Sequence, residues 1–563
     1  MKSAHRRREV LVSAYARGTI DRRTFFKKAV ALGLVTPLLP QLLDEAADPA
    51  AAASKSSSTL IIGAAATPTT LDPEFASSPQ DREVDVSTYD RFTQFKITQD
   101  SHGNAIADLK APVVPLLAES WQVSSDGRKY TINLKRGVKS FFGNELTAED
   151  IKWSWDRVFG LNSQGLFPLG VASIRSKTAY RVIGKYTLEV TLPEPNPLLM
   201  IVQATPVPGA VFYDSTEVKK HATANDPWAR RWLASNTASF GPYHAKSFTP
   251  GQQVEYVANP NYFRGKPAVE RVIYKEAPSS ASRLSLLRAG AIDIAEDLLV
   301  RERMSLKGAP GVKVIDIAGN FGAIVGLNNS IEPFTDRRVR QAIAYAMPVD
   351  GIIKTVYFND PTVRLFKGPV PDQYPGYPNY WPYQPRDIEK AKELLAAAGR
   401  GSGFGFDLTY TLVFPEQEQI AELTRTALKD IGVEVRLQKL TPAKYQEQYY
   451  GHRAQAVIVQ DAPFVADGSY AEFLYFGPGK GAVGNWINYR DKSAQDLIME
   501  SLGTPNLKDR YAKATRAARA IVDDVPWAMY LGTGFHLAMR SDVTGFAWRP
   551  HNLIHFYDLR KGA

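Results

Sequence analysis

Two acidic residues near the end of an apolar segment are the side chains best placed for binding chemistry. Residues 456–459, Ala-Val-Ile-Val, form a short apolar run typical of a buried strand, and Asp461 follows two positions later. Asp467 lies farther along the same predicted loop. Ligands of open α/β sheets bind beyond the carboxyl ends of the strands. We therefore expect Asp461, or alternatively Asp467, to meet a ligand.

A second candidate binding element is the segment 484–489, Gly-Asn-Trp-Ile-Asn-Tyr. Trp486 lies there in a polar loop that lacks the periodicity of a core segment, with Asn485 and Tyr489 beside it. An aromatic ring suits a ligand wall because it offers a large flat apolar area and loses little rotamer freedom. We expect Trp486, Asn485 and Tyr489 to contact the ligand. The alternative is that the tryptophan only holds a surface loop in place.

The glycine-rich segment 399–405 resembles a phosphate-binding loop in composition but not in position. It follows a predicted helix and precedes a predicted strand. Phosphate loops run from a strand to a helix, because the amino-terminal end of the helix must face the anion. The carboxyl-terminal end of a helix carries partial negative charge instead. We therefore interpret 399–405 as a flexible turn.

Metal and nucleophile chemistry find little support in the sequence. His551 and His555 have the spacing of two ligands on one helical face, but the residues around them predict a strand, in which positions i and i+4 lie far apart. No Gly-x-Ser-x-Gly elbow and no His-Glu-x-x-His motif occurs. We expect no metal, no cofactor and no enzymatic activity. A hydrolase that uses an unrecognised pair of carboxylates is the alternative.

The elements that must position Asp461 form a predicted βαβ unit. Helical stripes over 388–398 and 420–431 end at Gly399 and Gly432. Alternating residues predict strands over 406–414 and 433–437, one on each side of the second helix. Two strands joined through one helix are parallel. With the apolar run at 456–459 as a third strand, this part of the chain predicts an α/β lobe.

Other elements are predicted along the rest of the chain. Residues 59–63 and 130–134 have the patterns of strands. A helix is predicted to begin at Thr147, with Asp150 completing a capping box, and another helix is predicted over 335–346.

The first 53 residues have the order of regions found in an export signal. Arg22 and Arg23 precede the apolar run 29–40, and small residues follow at 50–53. The paired arginines resemble the signal of the twin-arginine export route. We expect residues 1–53 to be this signal and the mature protein to work in the periplasm. The alternative is a basic amphipathic helix.

Composition narrows the classes of function further. The chain has 563 residues with 44% hydrophobic and 22% charged side chains, which is ordinary for a globular protein of two or three domains. The lack of cysteine excludes disulfides, thiolate zinc sites and a lipid anchor on cysteine. The net charge of +10 is partly due to the predicted signal, and no long basic block occurs, so we expect no nucleic-acid partner.

A set of short motifs in a fixed order extends over nearly the whole predicted mature chain. Each motif alone is weak, and their common order is the strong signal. The motifs are Leu71-Asp-Pro73, Pro115-Leu-Leu-Ala-Glu-Ser-Trp121, Asp126-Gly-Arg-Lys-Tyr-Thr-Ile-Asn-Leu-Lys-Arg-Gly-Val138, Leu146-Thr-Ala-Glu-Asp-Ile151, Phe240-Gly-Pro-Tyr243, Pro250-Gly251, Asn259-Pro-Asn-Tyr-Phe263, Leu287-Arg-Ala-Gly-Ala-Ile-Asp293, Val339-Arg-Gln-Ala-Ile-Ala-Tyr-Ala346 and Ala391-Lys-Glu-Leu-Leu-Ala-Ala-Ala-Gly399. In this order they resemble the family 5 extracytoplasmic solute-binding proteins, the peptide/opine/nickel group of ABC importers.

The resemblance implies an α/β fold of two hinged lobes, with an extra subdomain inserted in the first lobe. The expected organisation is the following: signal 1–53, first segment of lobe 1 54–110, inserted subdomain 111–240, lobe 1 continued 241–330, lobe 2 331–529, and carboxyl-terminal segment of lobe 1 530–563.

The resemblance also implies a monomeric binding protein that traps a small solute or peptide between its lobes and delivers it to an ABC permease. In peptide-binding relatives an aspartate before a Phe-Leu pair holds the α-amino group of the ligand. Here Phe473-Leu474 follows both Asp461 and Asp467, and the spacing and the flanking aromatics differ from that pattern. Peptides, opines, modified amino acids, sugar conjugates and metal chelates are therefore the expected ligand classes. A peptide-recruiting chaperone or chemosensory adaptor is an alternative function on the same fold.

Overall fold

The computed structural model describes residues 58–411, 413–479 and 481–562. The predicted twin-arginine signal, 1–53, lies outside the described residues.

Strands within these ranges build two large sheets and several small ones. In chain order the strands are β1 (Thr59–Ala64), β2 (Thr93–Gln94), β3 (Ile97–Gln99), β4 (Ala105–Ala107), β5 (Val114–Pro115), β6 (Ala118–Val123), β7 (Lys129–Leu134), β8 (Tyr180–Gly184), β9 (Thr187–Thr191), β10 (Tyr243–Thr249), β11 (Gln253–Ala258), β12 (Arg271–Glu276), β13 (Ile294–Ala295), β14 (Val312–Ile317), β15 (Gly322–Leu327), β16 (Arg364–Leu365), β17 (Phe404–Thr411), β18 (Val433–Leu440), β19 (Ala456–Asp461), β20 (Trp527–Gly532), β21 (Phe535–Arg540), β22 (Val543–Thr544), β23 (Ala547–Trp548) and β24 (Arg560–Lys561).

Helices of the same ranges are interspersed with these strands along the chain. In chain order the α-helices are α1 (Pro79–Thr88), α2 (Ala148–Leu161), α3 (Leu166–Val171), α4 (Leu199–Val202), α5 (Ser215–Lys219), α6 (Arg230–Leu233), α7 (Ser280–Arg288), α8 (Val300–Met304), α9 (Arg337–Ala346), α10 (Val349–Thr355), α11 (Ile388–Ala397), α12 (Glu416–Leu428), α13 (Pro442–Tyr450), α14 (Gly468–Phe476), α15 (Lys492–Leu502) and α16 (Leu507–Asp524). None of the helices in the described ranges has the length and apolar character needed to cross a membrane.

Lobe 1 is built on a mixed sheet of seven strands in the order β10-β11-β12-β1-β13-β21-β14. The predicted strand 59–63 is confirmed as β1, which runs parallel to both β12 and β13. Leu60 and Ile62 point to the same face of β1 and are fully buried in the core of this lobe, whereas Ile61 on the other face is only partly buried.

Lobe 2 is built on a sheet of six strands in the order β16-β20-β15-β19-β17-β18. The predicted βαβ unit is confirmed: β17 and β18 are parallel, α12 connects them, and β19 is also parallel to β17. Strand β17 ends at Thr411 rather than at 414, because the Thr411 N–H donates to the Gln417 side chain (3.0 Å) where the chain turns into α12. Asp461 is the last residue of β19.

The main chain crosses from one large sheet to the other twice. Residues 318–321 join β14 of lobe 1 to β15 of lobe 2, and residues 533–534 join β20 of lobe 2 to β21 of lobe 1. Strand β15 was expected in lobe 1, since it lies before residue 331. It belongs to lobe 2 because it pairs with both β19 and β20, a choice of partners that its own apolar pattern does not encode.

A small antiparallel sheet, β6-β7-β9-β8, lies within the segment expected to form the inserted subdomain. Helix α2 covers it, and the predicted capping box is present: Asp150 accepts hydrogen bonds from the Thr147 N–H (2.8 Å) and hydroxyl (2.9 Å). Trp155 of α2 is fully buried.

Candidate functional site: the cavity between the lobes

A cavity of about 580 Å³ lies between the two lobes, next to both linkers. The linker 318–321 contributes Phe321, and lobe 2 contributes Asp461 at the end of β19 and the three residues that follow it. Lobe 1 contributes the start of α1, the loop after β13, and residues of α8, β21 and the segment after β23. The volume falls within the range of about 300–1,000 Å³ that small-molecule sites occupy.

Asp461 is the charged residue that lobe 2 places in this cavity. Its carboxylate accepts hydrogen bonds from the Tyr475 hydroxyl (2.9 Å) and from the N–H of Ala462 (2.8 Å). Burial raises the pKa of Asp461 to about 6, against the lowering effects of Tyr475, Ala462 and Arg82. A carboxylate has room for about four hydrogen bonds, so Asp461 can accept more from a ligand.

Arg82 lies on the opposite wall, in the first turn of α1. Arg82 and Asp461 line the same cavity, and the positive charge of Arg82 contributes to lowering the pKa of Asp461. His551 lies on the same wall as Arg82. Burial, together with Arg91 and Arg82, lowers the pKa of His551 well below its usual value, which favours the neutral ring. The lobe 1 wall thus carries the cationic side chain of Arg82, the imidazole of His551 and, in the loop after β13, the carboxyl group of Asp297.

A second group of charges joins the lobes beside the linkers. Arg303 of α8 donates to Asp360, which precedes β16 of lobe 2 (2.6 Å), and to Asp316 at the end of β14 (3.2 Å). His536 of β21 bonds Asp316 (2.8 Å) and also contacts Arg303. Arg303 and Asp360 are almost completely buried. The pair is thus an inter-lobe salt bridge that water screens little.

Asp316, Asp360 and His536 are close enough together to be considered as metal ligands. The Arg303 guanidinium, however, already bonds both carboxylates and contacts the imidazole. A cation therefore already neutralises this cluster, and the donor set does not fit an added metal ion.

Asp467 lies outside the cavity in a buried ion pair. It is the N-cap of α14, where it accepts from the Tyr470 N–H (2.9 Å), and Arg510 of α16 donates to the same carboxylate oxygen (2.9 Å). Both side chains of the Asp467–Arg510 pair are fully buried. The structure therefore separates the two predicted carboxylates: Asp461 faces the cavity, and Asp467 holds α14 against α16.

Trp486, Asn485 and Tyr489 also lie away from the cavity. Trp486 is buried in the core, where its ring stacks on Trp527 (6.0 Å between centroids) and fills space left by the missing side chain of Gly326. Asn485 closes its own loop, since its side chain donates to the Tyr489 carbonyl (2.9 Å) and accepts from the Tyr489 N–H (2.8 Å). Tyr489 packs on Phe476. Trp486 thus packs in the core beneath its own loop, whereas Asn485 and Tyr489 line a separate cavity.

The remaining sequence predictions concern the histidine pair and the glycine-rich segment. Residues 551–555 form neither the predicted strand nor a helix, because the turn after β23 carries them into a short 3₁₀ helix at Phe556–Asp558. Gly399 and Gly403 have positive φ in a turn between α11 and β17, which confirms the predicted turn.

Two residues of the cavity were missed by sequence reasoning. Tyr475, the hydrogen-bond partner of Asp461, is 14 positions away in α14 and carries no motif. Arg82 follows the capping box formed by Ser78 and Asp81, a pattern that predicts the helix start but does not indicate which residue faces a cavity. Both meet Asp461 only through the packing of separate elements, so no local signal could have found them.

The arrangement is that of a two-lobed binding protein, with a ligand-sized cavity between α/β lobes that two short linkers connect. The chain belongs to the bacterial extracellular solute-binding proteins of family 5, whose middle region matches residues 112–482. Members of this family are solute-binding proteins that work outside the cytoplasm, and the similar proteins include periplasmic ones.

Three similar proteins illustrate the breadth of the family. The chain is 29% identical to the probable D,D-dipeptide-binding periplasmic protein DdpA of Escherichia coli, over 87% of this chain and 91% of that protein. It is 27% identical to heme-binding protein A of Haemophilus influenzae, over 79% and 83% of the two chains. The periplasmic binding protein DppA of Helicobacter pylori, solved with the peptide STSA, superposes with a TM-score of 0.74 at 22% identity, covering 90% of this chain and 98% of that one.

Proposed function

We propose that this protein is the periplasmic component of an ABC importer that captures a small peptide or peptide-like solute with a free amino group. The observation that carries the proposal is Asp461, a carboxylate at the carboxyl end of a strand that faces a cavity between two lobes. The similarity to a probable D,D-dipeptide-binding protein supports the peptide class. Asp467, Trp486, Asn485 and Tyr489 are not part of the proposed site, since they lie elsewhere.

Capture would proceed by closure of the lobes around the linkers 318–321 and 533–534. Closure excludes water, and a carboxylate–ammonium pair becomes stronger as its surroundings become less polar. Asp461 would then pair with the ligand ammonium, while Tyr475 holds the carboxylate in place. The closed protein would present the ligand, chemically unchanged, to the permease.

The remaining parts of the proposal concern export and assembly. The paired arginines Arg22 and Arg23, ahead of an apolar run, support export of the folded chain by the twin-arginine route. We further propose that the mature protein acts as a monomer and without catalysis. Comparing export of the wild type with that of an Arg22→Lys, Arg23→Lys variant tests the route, and the variant is expected to remain in the cytoplasm.

The experiment that tests the binding site is calorimetric titration of alanyl-alanine, in its L,L and D,D forms, into wild type and Asp461→Asn. Asparagine keeps the shape of the side chain and removes its charge. Loss of one partner of a buried charge pair costs about 2–5 kcal/mol of binding free energy. We expect Asp461→Asn to lose this amount for the form that binds wild type.

Asp467→Asn provides the matched control, since it makes the same chemical change six positions away. It leaves Arg510 without its charged partner, so we expect a lower free energy of unfolding, by about 3–5 kcal/mol, with unchanged affinity of the folded protein. Unchanged affinity in Asp461→Asn, or the same loss in both variants, would contradict the role given to Asp461.

A further inference from the structure

We infer that lobe 1 holds a small inorganic anion, with chloride as the ion that fits best, in a second cavity apart from the one between the lobes. This second cavity measures about 30 Å³ and is named the arginine cavity, because Arg91, Arg264 and Arg549 line it. The three arginines come from separate parts of lobe 1: the connection between α1 and β2, the connection between β11 and β12, and the segment after β23. The inference does not depend on the solute that the protein captures.

The first support is the buried guanidinium of Arg91. Arg91 is only 4% exposed, and no acid of the described residues forms an ion pair with it within 4.0 Å. Its Nε is buried without a hydrogen-bond partner in the described ranges, and its Nη1 donates one long bond to the Tyr89 carbonyl (3.4 Å). A buried charge that is neither paired nor fully hydrogen-bonded is costly. An anion bound beside Arg91 would remove this cost.

The second support is the balance of charge around the arginine cavity. Besides the three arginines, the acids Asp90 and Asp558 line it, so one positive charge is left over even when both acids are ionised. Asp558 is already paired with Arg549 (2.7 Å), and Asp90 accepts a hydrogen bond from the Tyr262 hydroxyl (2.9 Å). Burial raises the pKa of Asp90 to about 6, although the neighbouring arginines lower it, so this acid is partly neutral near pH 7. One bound monovalent anion would neutralise the surplus.

The third support is His555, whose ring lines the arginine cavity. Burial, and then the positive charges of Arg549 and Arg91, lower the pKa of His555 well below its usual value. The ring is therefore neutral and adds no charge to the balance. Its buried Nε2 has no hydrogen-bond partner among the described residues, and in the tautomer that protonates this nitrogen it is a further donor for an anion.

The size of the arginine cavity and the access to it favour chloride over a larger anion. A single buried water needs about 10–15 Å³, so a volume of about 30 Å³ has room for one monatomic ion but not for the four oxygens of phosphate. Arg264 is exposed, and its guanidinium lies over the Tyr557 ring (4.8 Å to the centroid). Since Tyr557 also lines the cavity, Arg264 marks the side from which an anion in solution can enter.

The test follows thermal unfolding while sodium chloride replaces sodium gluconate at constant ionic strength, with no peptide present. The proteins are wild type, Arg91→Met, Arg264→Gln and, as the matched control for the latter, Arg516→Gln on the exposed face of α16. We expect a saturable rise in the melting temperature of wild type, by about 1–2 °C at about 200 mM chloride. Arg91→Met should abolish the rise, because methionine removes the charge that the anion neutralises. Arg264→Gln should weaken the apparent chloride affinity by about threefold or more, and Arg516→Gln should behave like wild type.

A crystal of wild type soaked in sodium bromide gives a second test that needs no variant to fold. An anomalous bromide peak in contact with Arg91 and Arg549 supports the site, and water alone in the cavity overturns the inference. An equal rise in melting temperature for Arg91→Met and wild type would show that chloride acts elsewhere. An equal rise with inorganic phosphate in place of chloride would overturn the choice of a monatomic ion. Because no arm contains peptide, failure of the proposed function would leave these results unchanged.

Discussion

Asp461 and Asp467 show how neighbouring residues of one type acquire different roles from their surroundings. Asp467 has a buried arginine partner and a helix N-terminus, so its charge is compensated within the protein. Asp461 has only hydrogen-bond donors of modest strength and a cationic group across a cavity. A buried charge without its own counter-ion is costly, and that cost is recovered when a cationic ligand binds.

The raised pKa of Asp461 predicts that binding depends on pH. With a pKa of about 6 in the free protein, Asp461 is ionised at pH 7 and mostly protonated at pH 5, while a ligand ammonium stays charged over this range. Affinity for alanyl-alanine should therefore fall as the pH falls, by about tenfold between pH 7 and pH 5. Titrations at pH 5, 6 and 7 measure this. Asp461→Asn should remove the dependence, and a variant that keeps it would point to a different titrating group.

The two linkers are the elements that decide how the lobes meet. Residues 318–321 and 533–534 run side by side, and the Thr533 N–H donates to the Phe321 carbonyl (2.9 Å). Gly534 has a φ of +76°, and an added Cβ would meet Thr362 and His536. The close approach of lobe 2 to lobe 1 at this point requires a residue without a side chain.

Gly534→Ala should therefore destabilise the protein by about 1–3 kcal/mol, through backbone strain and through contact with Thr362 and His536. Gly103→Ala is the matched control, because Gly103 has a φ of +80° in a turn with open space around it. The free energies of unfolding in urea of the two variants separate the cost of backbone strain, which both variants have, from the cost of the contact, which only Gly534→Ala has. A loss in Gly534→Ala no larger than that in Gly103→Ala would show that the contact at the linker does not matter.

At the scale of the whole molecule, the inter-lobe salt bridge between Arg303 and Asp360 favours the arrangement of the lobes seen here. Burial raises the pKa of Asp360, but His536, Thr362 and Arg303 together lower it below its usual value, so the ionised form is stabilised in this arrangement. Breaking a buried pair by removing one charge costs about 3–5 kcal/mol. In a protein that lacks the Asp360 charge, opening of the lobes would expose Arg303 to water and so reduce the cost of leaving it unpaired.

Asp360→Asn should therefore shift the ligand-free protein toward a more open form. We expect a larger radius of gyration than wild type in small-angle X-ray scattering without ligand. Asp496→Asn is the control, since Asp496 pairs with Lys492 on the exposed surface of one lobe and such pairs contribute little. Identical scattering curves for wild type and Asp360→Asn would show that the salt bridge does not influence lobe opening.

The sequence by itself determined the local elements and the class of the protein. The helical stripe over 420–431, the glycine stops and the strands around it predicted the βαβ unit correctly, because side-chain periodicity and turn chemistry are local properties. The strand end at Asp461 could be placed for the same reason.

Only the tertiary structure decided which charges meet. Strand β15 pairs within the sheet of lobe 2, and Trp486 is buried in the core. Asp467 forms an ion pair with Arg510, and Arg82 lines the same cavity as Asp461. These outcomes depend on residues far apart in the chain that become neighbours when the elements pack. Periodicity records which face of an element is buried, but not which other element buries it.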